Sequence, residues 1–138
     1  MPSTTAPKLK QFARRLLDYE AASGKPEDGQ EPPAFRVCGK LRGPLGKLMG
    51  VGGFRSLLSR ALVLAGAEVP WLRELQIQAD GSLEEPKEFE VKLDRPAITE
   101  GEVVLVSQLL GLLVTLIGPA LTVSLLRDIW PELEELNF

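Results

Sequence analysis

Val103-Val104-Leu105-Val106-Ser107-Gln108-Leu109-Leu110-Gly111-Leu112-Leu113-Val114-Thr115-Leu116-Ile117-Gly118-Pro119-Ala120-Leu121-Thr122-Val123-Ser124-Leu125-Leu126 carries no charged side chain. It is long enough to cross a bilayer, which takes about 20 apolar residues. Ser107, Gln108, Gly111, Thr115, Gly118 and Thr122 interrupt it every three or four positions. Such a stripe of small or polar side chains lets a second helix approach closely. Gly118-Pro119 breaks the run near its middle, only Arg127 flanks its end, and no aromatic belt brackets it. The run therefore reads as the central helices of a soluble domain, with membrane insertion as the alternative.

The flanks extend this reading. Thr99-Glu100-Gly101-Glu102 has the spacing of a capping box, a hydroxyl and a carboxylate three residues apart. It predicts a helix over 100–117, followed by another over 119–129 that ends before Trp130-Pro131. Upstream the period changes to two. Leu75, Ile77 and Ala79 alternate with Gln76 and Gln78, and Phe89, Val91 and Leu93 with Glu90 and Lys92. Two short strands are expected, turning at Asp80-Gly81, within an insertion over about 71–96.

The N-terminal part is helical by pattern. Leu9, Phe12, Ala13, Leu16 and Leu17 form one apolar face of a helix over 7–22, which Glu20 disturbs in its last turn. Residues 25–33 have almost nothing to bury and read as a linker, so residues 1–24 form an arm on a tether. Val37, Cys38, Leu41, Leu45 and Leu48 share a face over 34–49, with a break expected at Gly43-Pro44. Gly50-Val51-Gly52-Gly53 reads as a hinge before a helix over 54–67, whose stripe is Phe54, Leu57, Leu58, Ala61, Leu62 and Ala65. No internal repeat is apparent. The expected fold is mainly α, a bundle of about five helices with a short β-hairpin between the third and fourth. The central pair after Thr99 is expected to pack on Leu57, Leu58, Leu62 and Leu64.

Composition narrows function. The chain has 138 residues, 44% hydrophobic and 25% charged, enough for one globular core. It has no histidine and a single cysteine. Imidazole acid–base chemistry, Ser-His-Asp and Cys-His nucleophiles, an intramolecular disulfide, a Cys-x-x-Cys redox pair and Cys-rich metal sites are thereby excluded. Cys38, on an apolar face, is expected to be a buried, inert thiol. Glu84, Glu85, Glu88 and Glu90 lack a calcium-loop pattern and read as a solvated acidic face. No catalytic, metal or cofactor site is predicted, and the chain is read as not an enzyme. The start, Met1-Pro2-Ser3-Thr4-Thr5-Ala6, lacks the charged-then-apolar pattern of a signal peptide, so a cytoplasmic location is expected.

Charge is uneven. The net value is -3, yet no acidic residue occurs from Phe35 to Arg60. Lys47, Gly52, Gly53 and Arg55 are the candidate anion-binding residues, because free amides at a helix start can hold a phosphate. The phosphate-loop pattern itself is absent, since Leu48 follows Gly46-Lys47. The acidic net charge and the sparse aromatics argue against nucleic acid. The candidate interaction residues are Leu9, Phe12 and Leu16 on the arm, with Gly111 and Thr115 on the central helix. The function expected is a non-enzymatic protein-interaction or adaptor domain that self-associates or binds a protein partner. The alternatives are a membrane-associated or tail-anchored protein using 103–126, and a phosphate-ligand regulator using 40–60.

Overall fold

The computed structural model describes residues 7–23, 32–84 and 95–133. Helix α1 is Pro7–Ser23, α2 is Pro33–Glu68, α3 is Arg95–Ile117 and α4 is Pro119–Ile129. A 3-10 turn at Pro70–Glu74 and a minimal antiparallel ladder, β1 Gln76–Ile77 with β2 Leu83–Glu84, lie between α2 and α3. The protein is mainly α, with four helices among the described residues rather than about five, because the two segments expected over 34–49 and 54–67 run together as α2.

That helix is not straight. Gly50 leaves the helical region at φ 79°, ψ 161°. The Ala34 amide donates to the Glu102 carboxylate at 3.0 Å, and the Gln108 amide donates to the Glu68 carboxylate at 3.2 Å. A straight helix would hold Ala34 and Glu68 about 51 Å apart, whereas their α3 partners are separated by a rise of about 9 Å. The chain must therefore double back at Gly50, giving two limbs. The reversal falls here and not at Gly43-Pro44, where the helix continues. Proline costs a bond to the carbonyl four residues earlier, and that residue, Lys40, is exposed, so water can serve its carbonyl. Gly52 and Gly53, expected in a hinge, are helical.

The α3–α4 junction repeats this device. Gly118 has φ 87°, ψ 159°, nearly the values at Gly50. Setting Gly50 on Gly118 matches Leu41 with Leu109, Gly43 with Gly111, Leu45 with Leu113, Leu48 with Leu116, and Ser56-Leu57-Leu58 with Ser124-Leu125-Leu126, without a gap. Surroundings match as well. Leu41, Leu45 and Leu58 are fully buried, as are Leu109, Leu113 and Leu126, while Leu48 and Leu116 are both exposed. Ala34 and Glu102, which touch, also occupy matching positions, 68 residues apart. The chain thus holds two like helix–glycine–helix units, which corrects the expectation of no internal repeat; the matching residues stand out once Gly50 and Gly118 are set together. Exposure of Leu48 also corrects its expected place on the buried face.

The core is aliphatic and centres on α3, where every residue from Gly101 to Leu110 is buried. Leu57 and Leu58 belong to the same buried core, and Leu62 and Leu64 are half-buried. The buried hydroxyls of α3 and α4 are satisfied locally: Ser107 donates to the Val103 carbonyl at 2.8 Å and Thr122 to that of Gly118 at 2.8 Å. Helix α3 begins at Arg95, so Thr99 lies inside it and no capping box forms. Glu102 instead caps the start of α2, a helix start that Pro32 leaves without a side-chain cap of its own.

The ladder is shorter than the strands expected. Its turn is Asp80-Gly81, as anticipated, with Gly81 at φ 88° and the Asp80 carboxylate accepting from the Ser82 amide at 3.0 Å. The turn leans on α2, since a Cβ on Gly81 would stand 3.0 Å from the Phe54 ring, and Arg42 pairs with Asp80 at 3.1 Å. Phe89 to Leu93, expected as the second strand, lies outside the described residues, as does most of the linker.

Candidate interaction site

Helix α1 is seated on its own core. Leu9, Phe12, Ala13, Leu16 and Leu17 are all buried, as their helical spacing dictates, and α1 packs along α3. Leu9 Cδ1 lies 3.5 Å from the place a Cβ would occupy on Gly111, so the missing side chain there admits the leucine. Leu9, Phe12, Leu16 and Gly111 are brought together, but in an interface within the chain. Thr115 is exposed, its hydroxyl donating to the Gly111 carbonyl at 3.0 Å.

A polar clasp fastens the other end of α1. The Glu20 carboxylate, 1% exposed, accepts from Trp130 Nε1 at 2.8 Å and from Lys40 Nζ at 2.5 Å, with Arg36 Nε at 3.9 Å. Arg36 also donates to the Glu20 backbone carbonyl at 3.1 Å. Lys40 stands over the Tyr19 ring, and the Tyr19 hydroxyl donates to Glu132 at 3.0 Å. An isolated buried carboxylate would be costly, and partners from α2 and the end of α4 remove most of that cost. The misfit of Glu20 on an apolar face was its only trace in the sequence.

Beyond the seat of α1, the corner where α3 meets α4 emerges from the core. Leu116 is 61% and Leu121 49% exposed, and Thr115, Pro119, Ala120 and Ser124 are exposed beside them. This surface has no charged residue of its own. Gly118 creates it, because its positive φ turns the chain and leaves the last turn of α3 without cover.

The basic glycine-rich segment is divided by the bend. A shallow recess along the second limb of α2 is lined by Gly52, Arg55, Ser56, Ser59, Arg60 and Val63. It takes in Gly52 and Arg55 but neither Lys47, on the first limb, nor Gly53, which lies against Met49. The recess therefore joins two of the four candidate anion ligands and leaves out the other two. Cys38 is buried, and loss of solvation pushes its thiol up to about 12. Among the described residues no three potential metal-ligating side chains cluster. Compared with protein-family models, curated proteins and solved structures, the chain matches none.

Proposed function

We propose that this chain is a non-enzymatic protein-interaction domain that associates with a second copy of itself through the uncharged corner between α3 and α4. The observation that carries the proposal is the exposure of Leu116 and Leu121 on a surface with no charge to hold water. Chemistry argues the same way. The chain has no histidine, its one thiol is buried, and its buried carboxylates, Glu20 and Glu102, are spent on holding helices together. The test is size-exclusion chromatography with light scattering on the full chain. A discrete dimer is expected, converted to monomer by Leu116→Glu with Leu121→Glu at an unchanged helical content. A monodisperse monomer across the accessible concentration range would end the proposal.

One further observation favours a membrane-associated reading: the segment Pro96–Ile117 is long and apolar enough to span a bilayer. In that reading the same corner meets lipid, and flotation with liposomes replaces dimerisation as the property lost on Leu116→Glu.

A further inference from the structure

The second limb of α2 sets Gly52, Ser56, Ser59 and Val63 along one helical face, at the spacing i, i+4, i+7, i+11. Arg55 and Arg60 fall on opposite sides of that line, because five residues turn a helix by well over a quarter of a circle. The six residues line one recess of about 580 Å³, the size of a small-ligand site. All six are exposed, so a ligand can reach them.

The arginines here differ from the cations nearer α1 and the hairpin. Arg14, Arg36, Lys40 and Arg42 are each held by a carboxylate within the fold. Arg55 and Arg60 have no such partner among the described residues, and α2 has no acidic residue before Glu68. Ser56 and Ser59 are also unengaged there, whereas the hydroxyls of Ser107, Thr115 and Thr122 turn back onto carbonyls of their own chain. The fold does not require this set. In the matching unit Arg55 is replaced by Val123 and Arg60 by Asp128.

Donor chemistry selects the ligand. Two planar guanidinium groups present paired N–H donors that fit an oxyanion, and the two hydroxyls add further donors. A carboxylate has two oxygens to receive them. A phosphate monoester has three and carries close to two negative charges. A second depression shares Arg55 and Ser59 and continues to Leu62, Leu75 and Ile77, which gives an apolar wall beside the cations.

We infer that this recess binds a phosphate monoester carrying an apolar substituent. Arg55 and Arg60 grip the phosphate from its two sides, Ser56 and Ser59 donate to it, and the substituent lies on Leu62, Leu75 and Ile77. The site is separate from the α3–α4 corner and does not depend on self-association.

The test is calorimetry of the full chain with 1-naphthyl phosphate, with its methyl diester and 1-naphthoate as controls. Saturable binding is expected with a Kd below roughly 1 mM, and both controls are expected to bind at least severalfold more weakly. Arg55→Gln and Arg60→Gln are each expected to weaken binding about tenfold or more, at unchanged helical content since both side chains are exposed. Arg55→Lys keeps the charge without the fork and is expected to recover only part of the loss. Leu116→Glu with Leu121→Glu is expected to leave binding unchanged, so failure of the self-association proposal is distinguishable from failure here. Phosphatidylcholine vesicles with and without phosphatidic acid separate the sources of the phosphate. Binding of the soluble probe without vesicle retention assigns a free organic phosphate. Binding of both, lost together in Arg55→Gln, assigns a lipid headgroup. Absence of saturable binding, equal affinity for the diester, or indifference to both glutamine variants overturns the inference. Vesicle retention without binding of the soluble probe also overturns it, by making the arginines a general cationic surface.

Discussion

The two limbs of α2 and the pair α3–α4 are built alike and finished differently. Each turns on a glycine at φ near +80°, ψ near 160°, and each buries leucines at the same places before and after that turn. Yet Gly39 is exposed, whereas its counterpart Ser107 is fully buried. The difference does not arise in the backbone. It arises from what covers each helix: α1 sets Leu9 against Gly111 of α3, whereas on the first limb of α2 it engages Arg36 and Lys40 through Glu20. A helix's own pattern therefore tells which residues can be buried, and the covering element decides which ones are.

The strongest challenge to the likeness of the halves is to delete matched core leucines. Leu58→Ala and Leu126→Ala are each expected to cost about 2–5 kcal/mol in chemical denaturation. If one is silent, the halves do not share a core role. Next come the turns. Both glycines sit in a region essentially closed to other residues, so Gly50→Ala and Gly118→Ala are each expected to lose about 1–3 kcal/mol. Unequal losses would show that one bend relaxes.

A smaller effect separates Cys38 from its counterpart Val106. The folded thiol keeps its proton up to about pH 12, whereas its ordinary value is 9.0. Between these values the unfolded chain loses the proton first, so stability falls as pH rises, by about 1.4 kcal/mol per unit at most. Cys38→Val is expected to remove that alkaline slope while changing stability at pH 7 by less than about 1.5 kcal/mol. A slope that survives Cys38→Val would assign it to other groups. Smallest of all, Gly39→Ala is expected to stabilise the chain by about 0.5–1 kcal/mol, since nothing described lies within 4 Å of its Cβ position and no proline follows it. Gly111→Ala, in ordinary contact with Leu9, is expected to gain less. Melting temperatures of the two variants give the comparison directly.

Much of the fold is legible in the sequence where periodicity speaks. The faces of α1 and of the second limb of α2, the end of α4 before Trp130 and the Asp80-Gly81 turn follow from spacing and turn chemistry. What stays hidden depends on partners distant in sequence. Thr99 and Glu102 have the spacing of a local cap, but Glu102 serves Ala34 instead. Gly43-Pro44 looks like the natural break, yet the bend comes at Gly50, where a lone glycine leaves little local signature. Glu20 reads as a flaw until Trp130 and Lys40 stand beside it. The candidate interaction residues were recognisable as an adhesive set, but spacing alone could not say that α1 adheres to its own α3. The exposed corner at Leu116 was invisible for the converse reason: an uncharged run looks equally apolar along its whole length.

The bond from the Ala34 amide to Glu102 has a kinetic meaning. The first turn of α2 is completed by a residue 68 positions downstream. During synthesis that turn emerges long before its cap, and it stays open until a long loop has closed. Nascent α2 is thus an unfinished helix, and arrival of α3 seals its end while filling the core. Hydrogen exchange at Ala34 would time that event. Its protection should appear together with burial of Leu105 and Leu109, which ties the start of the fold to the moment of its completion.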